Sequence, residues 1–324
     1  YQTAYLKTYH PNEFIAASMS NELSNTDKLS EFFEELKRLK IRVERPCINK
    51  CYSEFIPKNN TLFYALGAIK NVGFEAISNV IREREKKGEF SSISDFINRV
   101  NPKDINKLQL EGLVKAGAFD SIFPNRKVLY ENIPNIIQNS KTIYENKIQN
   151  QSSLFTDDSQ KVSYLMKDKN LPNWISSEIL SREFESVGFY LSSHPLEDFK
   201  DALEQYKAIT FKDFENNINK ESFVAGTIMS IKEKKTAKGT PFAIIKFSDQ
   251  TKVFELFLFS EILEANRKKL KEGKSFLLTL IKDKANQDNR FRRINVRKIV
   301  SLEEVVNINY SSVHIEIDKS DSLK

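Results

Sequence analysis

The feature that most constrains this chain is a change of hydrophobic period near Glu221. Before it, apolar residues recur every three or four positions; after it, they alternate. The first period lays one stripe along a helix, the second paints one face of a pleated strand, and a single layer cannot accommodate both. The expected fold is therefore α+β, with a mostly helical N-terminal two-thirds followed by a small β domain.

Five alternating stretches are countable: Phe223 to Ile231, Pro241 to Phe247, Lys252 to Phe259, Ser275 to Ile281 and Phe291 to Ile299. A helical stretch, Ser260 to Lys271, closed by Gly273, lies between the third and fourth. That order is the order of a five-stranded OB-fold β-barrel, expected over 222–300. Its first interstrand loop reads Lys232 to Thr240, and its last runs from Asp283 to Asn289 into Arg290, Phe291, Arg292 and Arg293. Basic residues in these two loops, Lys234, Lys235, Lys238, Arg290, Arg292 and Arg293, would funnel a single-stranded backbone into the groove between them. Phe242, Phe254 and Phe291 are candidate stacking platforms, although phenylalanine is also the commonest way to fill a small barrel and core packing is the favoured role for any one of them.

Charge distribution supports the same region. The chain carries a formal charge of +6, but Ser222 to Val300 holds 18 Lys and Arg against 8 Asp and Glu, a balance of +10. A local positive field points to a polyanion partner more than the modest total does.

In the helical part, Leu29, Phe32, Phe33, Leu36 and Leu39 form one helical stripe, Ile41 to Val43 is extended, and irregular polar sequence continues to about Asn60, where a first boundary is placed. Leu62 to Ile148 reads as all-helical, punctuated by turns. Of these, Ile69-Lys70-Asn71-Val72-Gly73 follows a helical stretch and leads into another, Phe74 to Lys87. A helix starting at a tight turn offers unpaired N–H groups and the positive end of its dipole to a phosphate. Lys70, Asn71, Val72 and Gly73 are therefore candidate nucleic-acid contacts, Gly73 through an unusual backbone angle and close approach, Lys70 through its charge. A glycine at such a junction also serves plain turn chemistry. A second junction, Asn106 to Ala118, contacts DNA or braces the first. Between Gln149 and about Lys169 the chain becomes a polar linker interrupted by Leu154-Phe155. An apolar pair with no core to serve suits docking into a partner's pocket, with Gln151 orienting it.

Several classes are disfavoured. Cys47 and Cys51 are the only cysteines, and His10, His194 and His314 are scattered, so free thiols in a reducing cytosol are expected and no metal site. No apolar run is long enough to span a membrane, and no charged-then-apolar leader opens the chain, which begins in helical sequence like a piece of something longer. No Asp-x-Asp pair for two Mg²⁺ ions and no Gly-x-x-x-x-Gly-Lys loop occurs, so no catalytic centre and no cofactor are expected in this segment.

Four stretches together resemble a known family: Tyr1 to Lys7 with Tyr9-His10-Pro11; Leu66 to Gly73; Leu113 to Asp120; and Gly188 to Leu191 with His194-Pro195-Leu196. In order and spacing they resemble the alpha subunit of bacterial DNA polymerase III. The resemblance implies the end of a fingers domain over 1–60, a tandem helix-hairpin-helix and clamp-binding region over 61–155, a helical connector over 156–221, the OB domain over 222–300, and the start of a truncated C-terminal domain over 301–324. It places Gln151, Leu154 and Phe155 where the family carries its motif for the beta sliding clamp. It further implies cytoplasmic DNA synthesis, duplex primer-template and single-stranded template as partners, a catalytic palm with Mg²⁺ lying upstream, and tau and proofreading subunits bound through regions absent here. Asn71 replaces a second hairpin glycine, and Cys47 an acidic residue, of the usual family pattern. Alternatives from other classes are the hairpin/OB region of a ligase- or nuclease-type repair enzyme, an anticodon-binding synthetase-like chain, and a non-catalytic interaction scaffold.

Overall fold

The computed structural model describes residues 1–148, 170–217, 219–237, 239–282 and 294–309. The chain divides into two units, Tyr1–Ser193 and His194–Lys324.

The first unit opens with α1 (Gln2–Tyr9) and α2 (Pro11–Ser20). The sequence suggested one continuous helix here, but Pro11 has no N–H to donate backward and takes the first position of α2, while His10 leaves helical geometry at φ −134°. Helix α3 (Thr26–Arg38), capped by Asn25, buries Leu29, Phe33 and Leu36 as its stripe requires. Strands β1 (Arg42–Glu44), β2 (Ile56–Lys58) and β3 (Thr61–Phe63) then form a small sheet in the order β1-β3-β2. Strand β1 overlaps the extended stretch expected at Ile41 to Val43, whereas β2 falls in the stretch expected to be irregular and β3 at the start of the one expected to be helical, since three-residue strands are too short to display alternation. The β2–β3 turn is made by Asn59 and Asn60, both left-handed, at φ 50° and 57°.

Six helices follow among the described residues of this unit: α4 (Phe74–Lys87), α5 (Ile93–Arg99), α6 (Lys107–Lys115), α7 (Arg126–Glu131), α8 (Ile133–Ile148) and α9 (Ser176–Val187). Helix α4 turns Ile77, Val80, Ile81 and Arg84 inward. Buried Arg84 is satisfied by donating to the carbonyls of Ile48 and Cys51, each at 2.7 Å, which ties the Cys47–Cys51 turn to the helix. At the far end of α4, Arg99 of α5 donates to the carbonyls of Glu83 and Gly88, tying α5 to the end of α4. On α9 the buried Glu183 carboxylate accepts from the amides of Leu191 at 2.9 Å and Ser192 at 2.8 Å, a charge-assisted anchor for the segment after the helix.

In the second unit a 3₁₀ turn (Pro195–Phe199), α10 (Lys200–Gln205) and α11 (Phe211–Asn216) precede β4 (Glu221–Lys235), β5 (Pro241–Ser248), β6 (Val253–Phe259), α12 (Ser260–Asn266), β7 (Ser275–Lys282), β8 (Ile294–Ser301) and α13 (Leu302–Asn309). The order of three strands, a helix and two strands is the expected one. The strands pair antiparallel in the order β6-β5-β4-β7-β8. Among the described residues no ladder joins β6 to β8, so the sheet is open where the sequence suggested closure.

One face of the sheet holds the core, with Val224, Ile228, Ile245, Phe247, Leu256 and Leu278 buried together and Phe211 and Phe214 of α11 packed on them. Each such side chain contributes about 1.5–3 kcal/mol. On the other face, Ala225 of β4 and Leu277 of β7 are covered by Leu196, Leu302 and Val305. A bulge between Ile228 and Ser230 resets the parity of β4, so that Ile231 pairs with buried Ile245 and Lys232 faces outward beside Ile244. A one-residue slip here would turn the lysines inward.

Candidate nucleic-acid interface

Two surfaces, one in each unit, carry the candidate contacts. The first is the turn into α4. What precedes it is a single 3₁₀ turn, Leu66–Ala68, rather than the longer helix the pattern suggested. Ile69 and Val72 are buried, while Lys70, Asn71 and Gly73 are exposed. The left-handed residue is Asn71, at φ 66°, and Gly73 has ordinary extended geometry at φ −71°, ψ 132°. The unusual angle expected of Gly73 thus belongs to Asn71, whose short polar side chain tolerates it.

The turn is held on two sides. The amide of Lys70 donates to the carbonyl of Ser186 on α9 at 2.9 Å. Against its other side lies Gly112 of α6, where an added Cβ would stand 2.7 Å from the Lys70 carbonyl oxygen. Gly112 therefore works by its absence of side chain, letting α6 touch the hairpin backbone. Helix α4 has no side-chain cap, and the amides of Phe74, Glu75 and Ala76 have no partner among the described residues. Three donors and a helix dipole thus emerge beside the Lys70 ammonium. Glu75 in the same turn opposes part of that positive potential.

The second junction is built otherwise. Gly117 is left-handed at φ 78°, and the space its Cβ would take is filled by the Arg126 guanidinium. Arg126 is buried, forms a forked ion pair with Asp120, and donates to the Lys115 carbonyl at 3.2 Å. The backbone is equally occupied: Gly117 and Ala118 donate to the carbonyls of Val114 and Leu113, and the Ala118 carbonyl accepts from Ile48. This turn faces its own unit, with Ala116, Ala118 and Phe119 buried.

The second surface is the β4–β5–β6 part of the five-stranded sheet. Lys234 and Lys235 are exposed, but they sit on the end of β4, opposite Phe242 and Pro241; the loop itself is only Thr236 to Thr240. Lys232, Lys234 and Lys235 have no anionic partner among the described residues, whereas Arg267, Lys269, Lys274 and Arg297 are paired with Glu233, Glu304, Glu303 and Glu221. Lys282 is buried, donating to the carbonyls of Phe214, Glu215 and Asn217 as a cap on α11. Exposed lysines without an anionic partner among the described residues thus include Lys232, Lys234 and Lys235 at the end of β4 and also Lys268, Lys271 and Lys298 elsewhere in the unit.

Of the proposed platforms, Phe254 is core: it is 5 % exposed and stacked on Phe211 with ring centroids 3.9 Å apart. Phe242 is half-buried on the outer face. Two rings that sequence reasoning missed are Phe257 and Phe259, 48 % and 51 % exposed. Strand parity was the signal: once Phe254, Leu256 and Leu258 face the core, Phe257 and Phe259 must face out. A groove of about 510 Å³ at the β6 edge is lined by Phe242, Phe257 and Phe259 together with Phe211, Phe254, Leu256, Ile294 and Asn295, so it takes in core-side residues as well as the outer rings. Lys238, Arg290, Phe291, Arg292 and Arg293, like the linker residues Gln151, Leu154 and Phe155, lie outside the described residues.

The two cysteines are buried. The Cys51 thiol donates to the Arg45 carbonyl at 3.2 Å, and burial pushes its pKa up to about 12. Among the described residues no helix is long and apolar enough to cross a membrane, and no cluster of three or more His, Cys, Asp or Glu is placed to hold a metal ion.

Residues 40–129, which include both turns, match the family model described as a helix-hairpin-helix motif. The chain is 34% identical to the DNA polymerase III subunit alpha of Borreliella burgdorferi across 98% of its own length and 28% of the relative's. It is 36% identical to the subunit of the same name from Caulobacter vibrioides, over 85% of the chain and 24% of the relative, and 34% identical to that of Campylobacter jejuni, over 82% and 22%. The chain thus spans about a quarter of the length of the curated relatives it matches. With its helix-hairpin-helix region and five-stranded sheet, and on these matches, the chain belongs to the family of DNA polymerase III alpha subunits, of which it represents a part.

Proposed function

We propose that this chain is the DNA-holding and clamp-tethering segment of a DNA-directed DNA polymerase that works in the cytoplasm during chromosome replication, with synthesis and its Mg²⁺ belonging to a palm elsewhere in the whole subunit. The observation that carries the reading is the turn at Lys70 to Gly73: three unpartnered amides at the start of a fourteen-residue helix, beside an exposed lysine. Such a turn binds backbone phosphate without reading base edges, as an enzyme that must accept any duplex sequence requires. The second turn, whose Gly117 and Ala118 amides donate to Val114 and Leu113, serves as a brace for the first.

The five-stranded sheet is taken as an OB fold whose strand order matches and whose seam between β6 and β8 is open. Its lysines at the end of β4, which have no anionic partner among the described residues, together with Lys238, Arg290, Arg292 and Arg293, would hold single-stranded template near the primer terminus. Gln151, Leu154 and Phe155 would dock into the beta sliding clamp, so that a weak contact on a polar linker raises local concentration and turns dissociation into rebinding. Tau and proofreading subunits would bind the whole subunit through other regions.

The test is a salt titration of duplex binding by the full chain. Lys70→Ala should weaken binding of every duplex sequence alike and lower the salt slope by about 1. An unchanged affinity and slope would overturn the assignment of this turn to DNA.

A further inference from the structure

The starts of α4 and α6 meet at one carboxamide. Gln109 sits in the first turn of α6 and is only 8 % exposed. Its Oε1 accepts from the amide of Asn106 at 2.7 Å, while the Asn106 side chain accepts from the Gln109 amide at 3.0 Å, a closed capping box. The first of these bonds fixes which end of the carboxamide is oxygen, because the Asn106 amide needs an acceptor. The Nε2 end is therefore the one turned to the hairpin, where it lies 3.2 Å from the place a Cβ on Gly73 would take. It donates to no group among the described residues.

Gly73 is the N-cap of α4, and an N-cap side chain ordinarily supplies the oxygen that accepts from the first-turn amides. Gly73 has no such oxygen, and the group beside the vacant position is an NH2. The amides of Phe74, Glu75 and Ala76 and the Gln109 Nε2 are thus donors side by side, and none can satisfy another. At the start of α6 the amides of Lys107 and Leu108 are likewise without a partner among the described residues, so two helix dipoles present their positive ends here. A buried carboxamide whose oxygen is engaged and whose nitrogen is idle, next to uncapped amides, calls for an anionic acceptor. We infer that Gln109 is a direct ligand of a backbone phosphodiester, donating through Nε2 to the same phosphate that the α4 amides receive. The helix pair α6 and α7 then touches the duplex through the start of α6, and not through its own turn at Gly117. The inference rests on the assignment of the Lys70 to Gly73 turn to DNA, and adds to it a side chain held rigidly enough to fix where the phosphate sits.

Gln109→Glu tests it, because glutamate retains the oxygen that the capping box uses and replaces only the donor. Beside the α4 amides the new carboxylate accepts internally and repels a phosphate, so stability and affinity should move in opposite directions. The melting temperature of the full chain should stay equal or rise, while its affinity for a duplex oligonucleotide, read by fluorescence anisotropy, should fall roughly tenfold or more. The fall should persist at raised salt, where repulsion between charges that are not in contact is screened. A fall that vanishes with salt overturns the inference, since charge alone then explains it. If Gln109→Glu leaves affinity unchanged while Lys70→Ala lowers it, Gln109 only caps α6, and the inference fails with the assignment of the turn intact. If neither substitution changes affinity, both fail. A drop in melting temperature together with affinity also overturns the inference, because the amide nitrogen would then be serving the fold.

Discussion

Arg126 and Asp120 form a forked ion pair, with Nε to Oδ1 at 2.9 Å and Nη2 to Oδ2 at 2.6 Å, and its guanidinium fills the space beside the α carbon of Gly117. Asp120 is partly exposed, but Arg126 is buried and also holds the Lys115 carbonyl. The pair locks the second turn against its own helices.

Arg126→Ala would leave an unpaired, partly exposed carboxylate, an unsatisfied carbonyl and a void. A loss of about 2–3 kcal/mol in unfolding free energy is expected, read from denaturant midpoints at unchanged m-value. Under conditions where the variant remains folded, its duplex affinity should match that of the unmodified chain. A selective loss of duplex affinity in the folded variant would move the second turn from brace to contact.

The first turn predicts a contrast between two neighbouring substitutions. Asn71 is left-handed at φ 66°, so Asn71→Val should destabilise by about 1–2 kcal/mol, whereas Asn71→Gly should be nearly neutral. Gly73 is extended, so Gly73→Ala meets no backbone strain; its added Cβ stands 3.2 Å from Gln109 Nε2, a contact that a small side-chain shift relieves. Thermal unfolding of the three variants checks the order, and a larger loss for Gly73→Ala than for Asn71→Val would contradict it.

This pair of residues also illustrates what was legible in the sequence. A glycine at a helix start signals a turn, but which residue takes the left-handed angle depends on how the backbone must pass between Ser186 and Gly112, contacts that are remote in sequence. The five strands and the helix after the third were readable because each strand is long enough to show its period. Strands β2 and β3, at three residues each, were not, and of the small sheet only the extended stretch at β1 was. The bulge after Ile228 was hidden for a related reason: it shifts the parity of β4 without interrupting its apolar run, and with it decides that Lys232 and Lys234 face outward. On sequence alone Phe254 is a candidate platform whose commoner role is core filling, and its stacking on Phe211, forty-three positions away, fixes the face of β6.

Burial of Cys51 has a consequence at alkaline pH. Its thiol is raised from about 9.0 to about 12 by desolvation, and the phenols of Tyr64 and Tyr190 are raised by the same cause. A group whose pKa is higher folded than unfolded contributes stability that is complete below the unfolded value and is lost as pH rises through the folded one. Stability of the first unit should therefore fall between about pH 9 and 12, and Cys51→Ala should make that fall shallower. At pH 8 a thiol-specific reagent should modify Cys51 only on unfolding, because the protonated, buried thiol is a poor nucleophile. Rapid labelling of Cys51 in the native chain would contradict this.

The last prediction separates free from occupied cations on the sheet. Lys232, Lys234 and Lys235 have no anionic partner among the described residues, whereas Lys269 and Lys274 are held by Glu304 at 2.7 Å and Glu303 at 2.8 Å. Both groups count equally toward the +10 balance of this region, yet only a cation that gains a phosphate on binding releases a counterion from the strand. Replacing Lys234 and Lys235 with glutamine should lower the salt slope of single-strand binding by up to roughly 1.4, at about 0.7 per phosphate neutralised. Replacing Lys269 and Lys274 should leave the slope unchanged, although affinity falls slightly as Glu303 and Glu304 lose their partners. Equal slope changes for the two pairs would mean that the strand follows the field of the whole unit and not the end of β4.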